Sequence, residues 1–271
     1  LSRCTNPVVT TFWKEIATKA GGEASLANIV PYITSKFDVF LANDIMRPII
    51  AQEKSSFNFR EIMDNKKILL VNLSKGSLGD INSHLIGLIL VGKILMSALA
   101  RSDSMDKGFP PFYLYIDEFQ NVTTDSISTI LSEARKYKLS LNIAHQFIAQ
   151  LDEKIKNSVF GNVGSMAVFR VGADDAAYLE NQYKPNFIAQ DIMNITNFNA
   201  YVKMLSHGVP VEPFNILAPK APEGNRAQIA DLKQLSYLKF GRNRDEIQAE
   251  INKKYEKKPT PADDLAKKFG L

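Results

Sequence analysis

Two acidic side chains stand at the end of Phe112-Tyr-Leu-Tyr-Ile-Asp-Glu118, directly after a run of apolar and aromatic residues. A continuous run of that length reads as a buried β-strand, so Asp117 and Glu118 mark its C-terminal end. In an open α/β sheet, ligands collect at the carboxyl ends of the strands. Carboxylates there suit a magnesium–phosphate complex: one holds the metal or its water, and the other polarises the attacking water. That is the acidic half of a nucleoside-triphosphatase site. The competing reading is a pair of acids capping the next helix, whose N-terminal dipole favours negative charge.

Gln146 follows the run Leu141-Asn-Ile-Ala144 as His145-Gln146, on a strand expected to neighbour the acidic one. A glutamine there can sense the γ-phosphate or orient the attacking water. A loop or capping glutamine is the commoner case. Arg135 lies in Glu133-Ala-Arg-Lys-Tyr-Lys138, on the helix between the two strands. From there a guanidinium can reach a neighbouring subunit's nucleotide. Spacing alone favours an exposed basic face near a helix C-terminus. Arg170 ends a further strand, and either faces a phosphate or pairs with Asp174 or Asp175. His145 reads as a packed loop histidine without a catalytic role.

These residues need a scaffold, and the pattern from residue 66 onward describes one. Ile68-Leu-Leu-Val-Asn-Leu73 reads as a strand buried on both faces. A helix over about 79–101 follows, then strand 112–116, helix 124–137 and strand 139–144. A short helix near 151–160, strand 165–170, helix 174–183 and strand 200–205 complete the series. Such alternation implies βαβ units in a mainly parallel sheet with helices on both faces. Residues 1–65 read as helical. Asn6-Pro7 is a cap followed by proline at the first helical position. Val8, Val9, Phe12, Trp13, Ile16 and Ala17 share one face, and Gly21-Gly22 stops the helix. A second helical stretch is expected to break or kink at Pro31 and Pro48, and a short helical turn covers residues 59–63. Beyond Val209 the prolines 210, 213, 219 and 222 suggest an extended connector. Two helices near 225–238 and 243–255 and a mobile charged tail, 257–271, close the chain.

Bulk composition sets outer limits. The chain has 271 residues, 45% hydrophobic, with a formal charge of +4. That is room for one large α/β domain with an appendage, and a charge compatible with nucleic acid without demanding it. The single cysteine, Cys4, excludes an internal disulfide, and three scattered histidines exclude a Cys/His zinc cluster. The pattern fits a reducing, cytoplasmic compartment. The most apolar stretch, residues 85–100, is interrupted by Lys93 and falls short of the roughly 20 residues needed to span a bilayer, so it reads as a core helix. The first residue is Leu, which suggests a fragment or a processed form. Lys253, Lys254, Lys257, Lys258, Arg242 and Arg244 form a basic region diluted by Glu246, Glu250 and Glu256, so a solvated mixed-charge face is favoured over a DNA-binding one.

Several of these segments, taken in order, resemble one family. Tyr115-Ile-Asp-Glu-Phe-Gln120, Leu131-Ser-Glu-Ala-Arg-Lys-Tyr-Lys138, Ala144-His-Gln146, Phe160-Gly-Asn-Val-Gly164 and Phe169-Arg-Val-Gly172 are similar to the motor domain of type IV secretion and conjugation ATPases. These are the TraG/TraD-type coupling proteins and their secretion-ATPase relatives, in the FtsK/HerA branch of RecA-like P-loop ATPases. The resemblance runs from about residue 6 to residue 255. It implies a RecA-like α/β core with an all-helical insert, and hexamers that move DNA or a protein–DNA substrate at the inner membrane. Asp117 and Glu118 match the Walker B acids, with Mg²⁺ held on Asp117 through water. Gln146 matches the post-strand glutamine and Arg135 the arginine finger, with Arg170 toward ATP. By the same resemblance, residues 1–65 are part of the helical insert, 66–208 the Walker B half of the motor core, 209–256 connector and C-terminal helices, and 257–271 the tail. The chain would be a cytoplasmic domain, attached at the inner membrane through N-terminal regions it lacks. It departs from the family in one respect: Gly-x-x-x-x-Gly-Lys-Ser/Thr, the Walker A loop, occurs nowhere. Ser74-Lys-Gly-Ser-Leu-Gly79, considered as a candidate, lacks the spacing and the final Lys-Ser/Thr. With the first strand and that loop absent, phosphate lacks its usual cradle. The expectation is a C-terminal portion that binds ATP weakly and hydrolyses none. The alternative is a non-catalytic module of the same fold that docks on a partner ATPase or binds DNA.

Overall fold

The computed structural model describes residues 4–16, 22–123 and 125–255. The expectations for Ala17, Gly21, Thr124, Glu256 and the tail with Lys257 and Lys258 lie outside the described residues. Residues 1–56 with 233–271 form one compact unit, and residues 57–232 form another.

In the first unit, helix α1 (Pro7–Thr11) starts as its sequence dictates. Asn6 Oδ1 accepts from Val8 N at 2.9 Å, and Pro7 takes the position where a missing N–H costs nothing. The chain then widens into a π-turn over Phe12–Ile16. That disturbs the three-and-four spacing, and Val8, Phe12, Trp13 and Ile16 are exposed. Gly22 opens α2 (Gly22–Leu41) rather than ending a helix, and α2 runs through Pro31 unbroken. The break falls at residues 42–45. There Asn43 Oδ1 accepts from the N–H groups of Ile45 and Met46 and starts α3 (Met46–Ile50), which contains Pro48. A side-chain cap, not a proline, decides where these helices divide.

The second unit begins with α4 (Phe59–Asp64), capped by Asn58 Oδ1 on Arg60 N at 2.9 Å. Residues 68–73 then depart from expectation. They form no strand, and Ile68 and Leu70 are 88% and 86% exposed. An apolar run becomes a buried strand only when a neighbouring edge takes up its backbone groups. This run instead lines one wall of an open cleft of about 1460 Å³. One turn, α5 (Lys75–Leu78), leads into α6 (Asp80–Leu99). By length and composition, residues 80–103 are apolar enough to cross a membrane. Val91, Ile94, Leu95 and Ala98 nonetheless bury one face of α6 in the core with Ile116, Phe119, Ile127, Ile130 and Leu139.

Strand β1 (Phe112–Ile116), helix α7 (Asp125–Glu133) and strand β2 (Leu139–Ile143) form a βαβ unit. The strands pair in parallel, Phe112 opposite Leu139 through Ile116 opposite Ile143, as the alternation requires. β1 is only half buried, because Tyr113 and Tyr115 on its other face are exposed. Helix α8 (Glu153–Asn162) leads to β3 (Met166–Val168), α9 (Ala173–Tyr183), α10 (Ala189–Met193), β4 (Asn199–Ser206) and β5 (Val209–Leu217). Here the expectation of a mainly parallel sheet fails. β3, β4 and β5 form a separate, antiparallel sheet. His207 and Gly208, both at positive φ, join β4 to β5 in a two-residue turn that only an antiparallel hairpin accommodates. The proline-rich segment after Val209 is therefore a paired strand. Pro210 and Pro213 sit on the edge strand of that sheet, where a missing N–H is tolerated. Helices α11 (Arg226–Phe240) and α12 (Arg244–Tyr255) follow, and α12 buries Ile247 and Ile251.

One buried cation fastens the base of the second unit. Arg101, 0% exposed, donates from Nε to Asp64 Oδ1 at 3.0 Å and from Nη1 to Tyr137 O at 2.7 Å, with Phe109 beside its guanidinium. A planar five-donor fork serves a carboxylate and a carbonyl at once from different nitrogens in fixed directions, whereas a lysine has only three donors on a single nitrogen. Replacing Arg101 with Met leaves Asp64 and the Tyr137 carbonyl short of a buried donor. We expect a loss of about 3 kcal/mol of stability, which Arg101→Lys does not recover, measured by urea unfolding.

Candidate functional site

The hydrogen-bond ladder between β1 and β2 continues one step beyond the strands. Ala144 N donates to Ile116 O and Phe119 N to Ala144 O, each at 2.9 Å. Between these bonds the chain must reverse, and Glu118 does so in the left-handed region, at φ 49° and ψ 47°. A non-glycine residue there is strained and needs support. Asp117 Oδ1 supplies some of it by accepting from Glu118 N at 3.0 Å, and Asn121 N donates to Glu118 O at 2.9 Å. The turn drives Phe119 fully into the core and leaves Glu118 half buried and Asp117 exposed.

Both carboxylate oxygens of Glu118 are occupied. Gln146 Nε2 donates to Oε1 and Gln120 Nε2 to Oε2, each at 2.6 Å. Two amide donors fix the orientation of this carboxylate. Gln120 Oε1 is buried with no hydrogen-bond partner. The turn also reaches back to the start of α6. Asn121 Oδ1 accepts from Lys75 Nζ at 3.2 Å, and the Asn121 carbonyl meets His84 Nδ1. Gly87, one turn further along α6, allows a close approach. A Cβ there would lie 2.5 Å from Val122 Cγ1.

The structure therefore brings Asp117, Glu118 and Gln146 together and leaves two other candidates apart. Arg135 is exposed on the 3₁₀ turn Ala134–Tyr137 that precedes β2, in a shallow recess with Ser132, Glu133, Lys136 and Lys138. It stands at the opposite end of the strand pair from Glu118, roughly 17 Å away at 3.3 Å per residue. Arg170 follows β3 and donates to Asn197 Oδ1 at 3.0 Å, while Asp175 accepts from Ile148 N at 3.1 Å. Gln120, Asn121, Lys75 and His84 were not foreseen as site residues. Gln120 had a local signal, two residues beyond Glu118. Lys75 lies in the Ser74–Gly79 segment weighed against the Walker A pattern, but its contact with Asn121, like that of His84, crosses about 40 residues of chain and left no local signal. In the basic C-terminal region, Arg242 pairs with Glu250 and Lys254 lies 3.6 Å from Glu53, as a mixed-charge face would have it.

Residues 111–181 match the family model described as the TraM recognition site of TraD and TraG. The resemblance to TraG/TraD-type coupling proteins is borne out over that segment, which holds Asp117, Glu118, Arg135, Gln146 and Arg170. No curated protein sequence matches the chain. Among solved structures, the plasmid coupling protein TrwB with the GTP analogue GDPNP is 16% identical, with a TM-score of 0.48 over 69% of this chain and 48% of that one. TrwB with ADP and Mg²⁺ is 17% identical, at 0.47 over 63% and 45%. The genome packaging NTPase B204 of Sulfolobus turreted icosahedral virus 2, with AMPPCP, is 11% identical, at 0.43 over 62% and 74%. The chain spans less than half the length of the TrwB chains.

His145, beside Gln146, has a pKa lowered by burial, an effect that the nearby Asp175 charge partly offsets. Its proton binds more readily in the unfolded chain. The stability it contributes is present above the ordinary histidine value of about 6.5 and is lost as pH falls through the lower folded value. The melting temperature should drop more between pH 7.5 and 5.5 in the parent than in His145→Gln. Parallel melting curves for the two proteins against pH would contradict this assignment.

Proposed function

We propose that the chain is the C-terminal part of a motor ATPase that drives translocation of DNA, or of a protein–DNA substrate, in conjugation or type IV secretion. One observation carries the reading. The Glu118 carboxylate is held between two amides at the carboxyl end of a parallel strand pair, inside the segment that matches the coupling-protein model. On this reading residues 66–208 are the Walker B half of a RecA-like core, residues 1–65 belong to a helical insert, and residues 209–256 are connector and C-terminal helices. The protein works as a hexamer at the cytoplasmic face of the inner membrane.

The residues fit a magnesium–nucleotide. Asp117 is exposed at the strand end, and beside it the Glu118 carboxylate is held by the amides of Gln120 and Gln146. Among the described residues no group of three His, Cys, Asp or Glu could hold a metal. Magnesium commonly takes only one or two carboxylates, completing its shell with waters and phosphate oxygens. When bound it would supply Lewis-acid stabilisation of the phosphoryl oxygens. Asp117 would hold it through water. Glu118 would orient the attacking water and take its proton, while Gln146 keeps that carboxylate aligned. Arg135, at the far end of the strands, can serve only a neighbouring subunit's nucleotide. Arg170 reaches a phosphate only by leaving Asn197.

The chain has no Gly-x-x-x-x-Gly-Lys-Ser/Thr. That favours a second reading, a non-catalytic module that docks on a partner ATPase or binds DNA. We expect this 271-residue chain to bind Mg·ATP weakly, to lose about tenfold of that binding in Asp117→Asn, and to show no turnover. Robust Mg²⁺-dependent hydrolysis abolished by Glu118→Gln would sink the claim of inactivity. Nucleotide binding indifferent to Asp117→Asn would sink the site itself. Salt-dependent DNA binding with no nucleotide affinity selects the module.

A further inference from the structure

The antiparallel sheet gathers an arginine and several large apolar side chains at one of its ends. Val168 lies opposite Tyr201, and Asn199 opposite Leu217, so the residues that follow β3, precede β4 and end β5 share that end. Phe169, Phe198 and Leu217 there are 53%, 74% and 72% exposed. Between them, the exposed Arg170 guanidinium is held by the neutral Asn197 Oδ1 at 3.0 Å and, among the described residues, forms no ion pair. An exposed arginine set among large apolar side chains has the composition of an interface anchor, not of a solvated surface.

The group is also rigid. Phe198 lies at φ 66°, a region disfavoured for a bulky residue. Its carbonyl accepts from Ala218 N at 2.6 Å. Next to it, Asn199 Nδ2 donates to Thr196 Oγ1 at 2.8 Å, and Asn199 Oδ1 accepts from Asn215 Nδ2 at 3.1 Å. The Phe198 ring is thus held out toward solvent on a backbone that need not be ordered again on binding.

Helix α11 carries the complement. It runs for 15 residues and buries none of them, although a helix in water owes most of its stability to a packed face. Asp231, Leu235 and Leu238 stand at i, i+4 and i+7 and so share one face. The two leucines are 61% and 72% exposed. Asp231 is exposed and, among the described residues, forms no ion pair. One surface therefore offers a lone carboxylate beside leucines, and the other a lone guanidinium beside phenylalanines. We propose that α11 of a second copy of this chain docks on this sheet end, with Asp231 paired to Arg170 and Leu235 and Leu238 packed against Phe169, Phe198 and Leu217.

Charge complementarity selects that occupant, because the same chain presents both halves of the pair and covers neither. Pro219 and Pro222 stiffen the connector 218–225 that leads away from the sheet end, which favours a helix offered to a neighbour. Donor and acceptor surfaces differ, so the contact is head-to-tail and closes as a reciprocal pair or a ring. None of its residues belongs to the acidic turn, and it stands or falls apart from the nucleotide reading.

The test is sedimentation equilibrium of the 271-residue chain with charge reversal. Arg170→Glu alone and Asp231→Arg alone should each weaken self-association about tenfold, with unchanged circular dichroism. Both changes in one chain should bring it back to within about threefold of the parent. Association through any other surface, the free edge of β1 included, is indifferent to the reversal and its rescue. A monomeric parent, parent-like association in both single variants, or a double variant that does not recover overturns the contact. Cysteine pairing in a Cys4→Ser background checks the second copy. Phe198→Cys with Leu235→Cys on one chain should give disulfide-linked oligomers under mild oxidation. A disulfide formed within monomers overturns the assignment to a second copy, and failure to form any disulfide overturns the contact itself.

Discussion

The parallel register of β1 against β2 is the constraint from which the site follows. Five residue pairs, Phe112 with Leu139 through Ile116 with Ile143, align the two strand ends to within one residue. A slip of one position would turn Ile116 away from the core and carry Glu118 out of reach of Gln146. The register is pinned at both ends by different chemistry. Below, Phe112 N donates to Lys138 O, and Arg101 fixes the neighbouring Tyr137 carbonyl. Above, the ladder bonds through Ala144 extend past the strands and force the turn at Glu118. Anchoring far from the acids therefore sets the geometry at the acids.

Glu118 shows how a strained residue is kept. Its left-handed backbone is disfavoured for a branched or long side chain, at roughly 1–3 kcal/mol. The cost is offset locally, by the Asp117 side chain on its N–H, by Asn121 on its carbonyl and by the burial of Phe119 next to it. Asp117 thereby has two tasks, supporting the turn and offering its other oxygen outward. On the function proposed above, removing its carboxylate disturbs backbone and binding together. Asp117→Asn, which keeps an acceptor for the Glu118 N–H, is the change that separates them.

The centre of this arrangement was legible in the sequence because it is local. The run 112–116 and the acids after it, the run 139–143 and Gln146 after it, and the helix between them are each coded within a few residues. What depended on distant partners was not legible. Ile68-Leu-Leu-Val-Asn-Leu73 has strand composition, but composition does not say whether an edge is within reach. The β4–β5 hairpin hid in a proline-rich stretch because His207-Gly208 is an inconspicuous turn and the prolines fall on an edge strand. The π-turn after α1 and the unbroken passage of α2 through Pro31 depend on backbone energies that a wheel of apolar residues does not express. Lys75 and His84 were missed for the simplest reason, that chain folding alone brings them to Asn121.

The outer edge of β1 has a meaning beyond the site. Its backbone groups face an open cleft, flanked by exposed Tyr113 and Tyr115 and by the uncharged, strand-prone residues 68–73. No lysine, proline or bulge lies within this edge to blunt it, the usual safeguards against edge-to-edge pairing. An edge in that state is a template for strands from other molecules. We therefore expect self-association that grows with concentration and is relieved by a charge placed at Tyr115, from the same strand that carries the acidic pair. Handling the protein in solution and reading its chemistry are governed by one five-residue element.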